Sequence, residues 1–199
     1  MIQCSHYKKQ NKDEVSQVTP VVATKNRPHR KERKMEKRID KTNYYLNIAR
    51  TVAERSTCLR KKAGCVIVNH DEIIATGYNG APRGRVNCID LGYCTKKKHF
   101  PDIRHGGYDA CRSVHAEQNA MISASRREMM GATLYLVLFR PETGEYDPGA
   151  NSCQMCRKMI INCGIEKVVV RGKNDQEYTE ILVEDWIKND EILEGKLTY

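Results

Sequence analysis

Four side chains stand out for the chemistry they could do together. His115 and Glu117 lie in SVHAEQNAM (113–121), and Cys153 and Cys156 lie in SCQMC (152–156). One histidine nitrogen and two thiolates form a donor set that suits zinc. The two cysteines sit three residues apart at a predicted helix start, which turns both sulfurs the same way. Helix N-termini favour anions, so the thiol pKa falls and thiolates become available to a metal. Three protein ligands leave a fourth position for water, the open arrangement of a catalytic zinc. Glu117 is not needed as a ligand and is free to shuttle protons. Each piece alone says little. A histidine at a helix start is an ordinary surface residue, and a lone CxxC is equally a redox pair or half of a structural zinc site. A CxxC that opens a helix also occurs in thioredoxin-like proteins, but no second feature of that class is present.

The elements that must position these residues follow from periodicity. Apolar residues Tyr45, Ile48, Ala49, Val52 and Ala53 recur at helical intervals in 42–57, predicting a first helix. GCVIVNHDEIIATGY reads as two buried strands joined by a polar turn at Asn69–Asp71. From Asn79 to Val114 the pattern dissolves into an insertion with five glycines, three cysteines and the run KKKH. A loop that long in a compact domain needs something to hold it. A helix over 114–130, a strand over 132–139, a helix over 153–163 and a β-branched strand over 166–171 follow. A last amphipathic helix is predicted around 176–188, and the final residues could add a strand. Strands alternating with helices indicate an α/β layered sheet.

Bulk properties narrow the class. The 199 residues, 40% hydrophobic, suffice for one α/β domain. The longest apolar runs, such as LYLVLF at 134–139, are strand-sized, so no membrane span is expected. The N-terminus lacks the apolar core of a secretory signal, which makes a cytoplasmic protein the default. Nine cysteines in such a chain point to metal binding or catalysis before disulfides. The net charge of +9 is concentrated at one end. Residues 1–41 hold 12 Lys/Arg against 5 Asp/Glu, and the remaining residues hold 22 against 20. The basic tail, residues 1–40, is therefore expected to be disordered, and the near-neutral remainder, 41–199, makes nucleic acid an unlikely partner for the domain. Met35 opens a stretch that could itself begin the compact domain.

HAE followed by CxxC is the signature of the zinc deaminases. Within that superfamily the chain resembles the deoxycytidylate (dCMP) deaminases over about residues 42–171. The resemblance is carried by STCLRKKAGCVIV, IIATGYNGAPRG, the cysteine-bearing NCIDLGYC, CRSVHAEQNA and CQMCRKMIINCGIEKVVV. One position departs from it: the family usually has proline before the first CxxC cysteine, where this chain has Ser152. Cys65 and Cys163 stand where the family commonly has alanine, and are read as small buried residues.

The resemblance implies a three-layer α/β/α fold around a mixed sheet of about five strands. It implies hydrolytic deamination of dCMP to dUMP, supplying dUMP for thymidylate synthesis, with catalytic Zn2+ on His115, Cys153 and Cys156 and with Glu117 carrying protons. It places the main-chain N–H of Ala116 on the pyrimidine carbonyl and the carbonyl of Ser152 on the amino group. Asn79 is then the candidate for the sugar, although Asn79-Gly80 also reads as an ordinary turn. Arg60 is the first choice for the phosphate because a guanidinium fork suits phosphate oxygens; a solvated basic run with Lys61 and Lys62 is the plainer reading. Arg112 is a weaker candidate. Cys58, Cys88, Cys94 and Cys111 would suit a second, structural Zn2+ that pins the insertion, with His99 or His105 able to replace a cysteine. The family is commonly homo-oligomeric and often regulated by dCTP (activation) and dTTP (inhibition). Gly77, Tyr78, Asn79 and Gly80 are then the effector region, and Mg2+ would accompany a triphosphate. Two other readings are a deaminase of dCTP or of a polynucleotide (tRNA or single-stranded DNA), and a zinc-binding module without turnover.

Overall fold

A computed structural model describes residues 38–103, 107–147, 149–193 and 195. The basic tail read from residues 1–40 lies outside them up to residue 37. The Asp40 carboxylate accepts from the Asn43 N–H at 2.9 Å and so caps α1 (Lys41–Ala53). β1 (Lys62–Asn69) and β2 (Glu72–Tyr78) form an antiparallel hairpin. Its turn is His70-Asp71, with φ of 48° and 68°, a conformation that Asn-Gly or Gly-Gly adopts more easily. Asp71 is held there from α1: the Tyr45 hydroxyl donates to its carboxylate at 2.7 Å, and the Lys41 ammonium lies 2.6 Å away. That same hydrogen bond pushes the Tyr45 hydroxyl up to about 12.

The insertion holds two short helices, α2 (Cys88–Leu91) and α3 (Thr95–His99), and a 3-10 turn at Tyr108–Ala110. Then come α4 (Ala116–Ile122), α5 (Arg126–Met129), β3 (Thr133–Phe139), α6 (Gln154–Cys163), β4 (Lys167–Arg171), β5 (Tyr178–Leu182) and α7 (Val183–Lys188). Two expectations need correction. The helix predicted over 114–130 is two helices, because Ser125 and Glu128 form a capping box that restarts the chain: the Ser125 N–H donates to the Glu128 carboxylate at 2.8 Å, and the Glu128 N–H donates to the Ser125 hydroxyl at 3.3 Å. The helix predicted over 176–188 begins as strand β5, which pairs antiparallel with β4 from Lys167↔Leu182 to Arg171↔Tyr178.

The five strands run in the order β2-β1-β3-β4-β5, with β3–β4 parallel and the other pairs antiparallel, a mixed sheet as expected. Alternation along β1 divides the core. Cys65 and Ile67 face the cluster that holds residues of α4 and α6, while Val66 and Val68 face the cluster that holds α1. Helices thus cover both faces, giving three layers. Two glycines let them close on the sheet. A Cβ at Gly64 would stand 2.1 Å from the Ala49 carbonyl of α1, and a Cβ at Gly77 would stand 2.3 Å from the Ala116 carbonyl of α4. Arg171, only 2% exposed, ties β4 to α1, donating to the Asn47 side-chain oxygen at 2.7 Å and to that of Asn43. Among the described residues no helix is long and apolar enough to cross a membrane.

Candidate active site

His115 is the N-cap of α4, and its main-chain N–H donates to the Gln118 side chain at 2.9 Å, which fixes the entry to the helix. A two-way main-chain bridge between Gly80 and Val114 (3.2 and 2.8 Å) fastens the preceding residue to the chain leaving β2. Cys153 is the N-cap of α6, and Cys156 lies in its first turn. α4 and α6 lie on the same face of the sheet, so two helix starts converge. His115 Nδ1 is 3.5 Å from Cys153 Sγ and 3.4 Å from Cys156 Sγ. Zinc bonded to sulfur at about 2.3 Å and to nitrogen at about 2.0–2.1 Å would set tetrahedral N···S edges of about 3.5 Å. The donor set therefore fits zinc in type and spacing. Among the described residues these three are the only His, Cys, Asp or Glu group whose ligand atoms all lie within 4.8 Å of one another.

The electrostatics suit a cation. A hydrogen bond from Cys156 and the adjacent His115 ring hold the Cys153 thiol down to about 4, while sharing that bond, together with burial, pushes the Cys156 thiol up. One thiolate is thus favoured beside one retained proton that a metal would displace. Burial opposes charge on His115, but the Cys153 hydrogen bond and the Glu117 charge outweigh it and raise the imidazole. Glu117, 5% exposed, is raised by burial, with His115 pulling the other way. A carboxyl moved toward neutral pH can both accept and release a proton.

A cavity of about 470 Å³ opens onto these residues, a size suited to a small organic ligand. His115, Ala116, Glu117 and Cys153 line it, and so do Asn79, Gly80 and Arg60. Asn79 is tied down: its side-chain oxygen accepts from Ser56 Oγ at 2.6 Å and from the Ala63 N–H at 2.8 Å, and its amide donates to the Lys61 carbonyl at 2.9 Å. One amide hydrogen stays uncommitted among the described residues. Gly77 serves packing against α4, Tyr78 is exposed, and Arg112 donates to the Val86 carbonyl at 2.9 Å. Ser152, 1% exposed, immediately precedes the first sulfur. Its N–H donates to Asn151 Oδ1 at 2.7 Å, and its carbonyl accepts from Arg157 Nε at 2.9 Å. Its buried hydroxyl faces the Glu117 carboxyl and helps to lower it against the effect of burial, without a hydrogen bond of ordinary geometry.

Cys58, Cys88, Cys94 and Cys111 line the same cavity. Burial, then the neighbouring Cys58, Cys94 and Cys88, raise the Cys111 thiol. The four are neighbours but do not close to mutual ligand distance. His105, one of the alternative ligands, lies outside the described residues. Sequence reasoning passed over Tyr108, whose ring stands edge-on to the His115 ring at 4.6 Å. It also passed over Lys96, a buried lysine on the cavity wall. Both lie in the aperiodic insertion, where spacing carries no signal.

The family model described as "Cytidine and deoxycytidylate deaminase zinc-binding region" matches residues 39–171. The deoxycytidylate deaminase of Mycobacterium phage D29 is 35% identical over 136 residues, covering 66% of this chain and 94% of that protein. That of Enterobacteria phage T4 is 30% identical over 175 residues, covering 71% of this chain and 84% of its own. The Saccharomyces cerevisiae enzyme is 34% identical over 143 residues, covering 70% of this chain, but this chain spans only 41% of its length. Among solved structures, the apo dCMP deaminase of cyanophage S-TIM5 is similar at 27% identity and a TM-score of 0.47, covering 67% of this chain and 84% of that one.

Proposed function

The chain belongs to the cytidine and deoxycytidylate deaminase family, and from that premise we propose that it converts dCMP and water into dUMP and ammonia. The observation that carries the reading is the convergence of His115 Nδ1 with two cysteine sulfurs at 3.5 and 3.4 Å, on one cavity with a buried carboxyl. His115, Cys153 and Cys156 hold zinc. Zinc, when bound there, supplies an acidified water as the nucleophile at neutral pH.

The remaining work falls to the chain's own groups. The Glu117 carboxylate accepts a proton from the attacking water and delivers it to N3 of the cytosine as the water oxygen bonds to C4. It then carries the second proton of that oxygen to the amino group, the C4–N bond breaks, and ammonia leaves a C4 carbonyl. The Ala116 N–H, at the open start of α4, holds the pyrimidine carbonyl. A carbonyl has two lone pairs; the Ser152 oxygen gives one to Arg157 and keeps the other for the substrate's amino group. Asn79 offers its remaining amide hydrogen to the sugar, and Arg60, at the cavity wall, meets the phosphate.

The proposal extends to architecture and control. Residues 41–199 are the catalytic domain and 1–40 an appendage. Cys58, Cys88, Cys94 and Cys111 draw together around a second zinc, and the chain acts as a homo-oligomer responsive to dCTP and dTTP, with Mg2+ accompanying the triphosphate. A spectrophotometric assay with dCMP, dCTP, deoxycytidine, tRNA and single-stranded DNA tests the substrate. Turnover of a polynucleotide but not of dCMP overturns it. Metal analysis tests the second site: two zincs per chain are expected, and a single zinc that disappears with Cys153→Ala removes it.

A further inference from the structure

The family match ends at residue 171, yet side chains beyond it reach back to the turn that carries the first sulfur. Arg157, one turn into α6, donates from Nε to the Ser152 carbonyl at 2.9 Å. Its other arm donates from Nη1 to the Glu191 carboxylate at 3.0 Å, and the guanidinium lies over the Trp186 ring at 5.1 Å from the centroid. Gln154 Nε2 donates to the same Glu191 oxygen at 3.0 Å. The segment that brings Trp186 and Glu191 is itself anchored. The Val183 side chain is buried in the core cluster shared with α4 and α6, Trp186 packs against that cluster, and the Val183 N–H donates to the Glu166 carbonyl at 2.9 Å.

We propose that residues 183–191 form a positioning clamp on the active site, acting through Arg157 on the Ser152–Cys153 turn. The chemistry follows from geometry. A guanidinium is planar and donates in fixed directions, so an Arg157 gripped by Glu191 and flanked by Trp186 presents Nε at one angle. That angle fixes the Ser152 peptide plane, and with it the N-cap geometry of Cys153. A proline at this position would stiffen the backbone through its ring. Serine lacks that restraint, and the clamp supplies it from outside: Asn151 takes the Ser152 N–H and Arg157 takes its carbonyl. Arg157, Trp186 and Glu191 are thus positioning residues; none needs to touch the substrate.

The inference rests on the proposed zinc site, and its test does not depend on turnover. Zinc release from the purified full-length holoenzyme to a competing chelator would be followed for the parent, Arg157→Lys, Glu191→Gln and the double variant. Residues supporting a metal ligand alter affinity by roughly 10–100-fold when lost, so about tenfold faster release is expected in each single variant. The double variant should release zinc no faster than the worse single, because both changes break one linked contact. Glu191 lies at the rim, so Glu191→Gln should fold and keep the parent's melting temperature. Unchanged release in Glu191→Gln overturns the clamp, as does a double variant in which the two effects multiply. With dCMP, the same variants should lose kcat at nearly constant KM. A parent inactive on dCMP would refute the proposed function, and the release rates would still decide the clamp.

Discussion

Residue identity decides the chemistry at two neighbouring positions. Glu117 is buried beside the proposed ligands, so it should be needed for turnover but not for metal. Glu117→Gln keeps the shape and removes the proton carrier; kcat for dCMP should fall by about 10²–10⁴-fold with zinc content unchanged by elemental analysis. A variant that turns over at the parental rate rejects the mechanism. Ser152 turns a buried hydroxyl toward the Glu117 carboxyl and helps to lower it against the effect of burial, so its side chain bears on the proton carrier more than on stability. Ser152→Ala should change stability by no more than about 1 kcal/mol in chemical denaturation, since the main-chain bonds to Asn151 and Arg157 survive. It should also move the Glu117-dependent limb of the kcat–pH profile to higher pH, because a group that lowers the carboxyl is lost. An unshifted profile would mean that the hydroxyl does not act on Glu117. At this scale the convergence of His115, Cys153 and Cys156, with Glu117 beside them, was legible because donor type and short spacing at two helix starts mark it. Tyr108 and Arg157 were not: Tyr108 lies in the aperiodic insertion beside the His115 ring, and Arg157 depends on Glu191, far along the chain, so no local pattern encodes either contact.

Elements aim these residues, and here the sequence was legible where burial is deep. β1, β3 and β4 are apolar runs covered on both faces, and their predicted limits differ from the observed ones by little. β5 is an edge strand whose residues are almost all exposed, so EYTEIL carries no alternation and merged with the helical spacing of the residues after it. The break between α4 and α5 was hidden for another reason: Ser125 and Glu128 look like surface residues until they are seen to cap. The contact that matters most for aim is α4 on β2. Gly77→Ala would place a methyl 2.3 Å from the Ala116 carbonyl and 2.4 Å from the Ala120 N–H, and helix backbone yields only by moving. A stability loss of about 3 kcal/mol is expected, read by urea denaturation, together with a fall in kcat because α4 bears both His115 and Glu117. An alanine variant with parental stability and activity would contradict the close packing.

For the whole molecule, the excess positive charge and the family match occupy different stretches of the chain. The domain-sized match begins at residue 39, the capped start of α1 at Asp40–Lys41, and the excess positive charge lies before it. A chain beginning at Met35 should keep its melting temperature within about 2 °C and its kcat/KM for dCMP within about twofold; a large loss of either would assign the tail a part in folding or catalysis. Assembly of the two core clusters has a further consequence at the hairpin. Cys65 pairs with Gly77 and Gly64 with Tyr78, so the two bare positions occupy adjacent rungs, and α1 and α4 press on opposite sides of the sheet there. At that spot the layers meet main chain to main chain, with no rotamer between them to slacken. The setting of the catalytic helix is therefore governed by covalent geometry, and it should hold its place while side-chain volumes elsewhere in the core drift over evolutionary time.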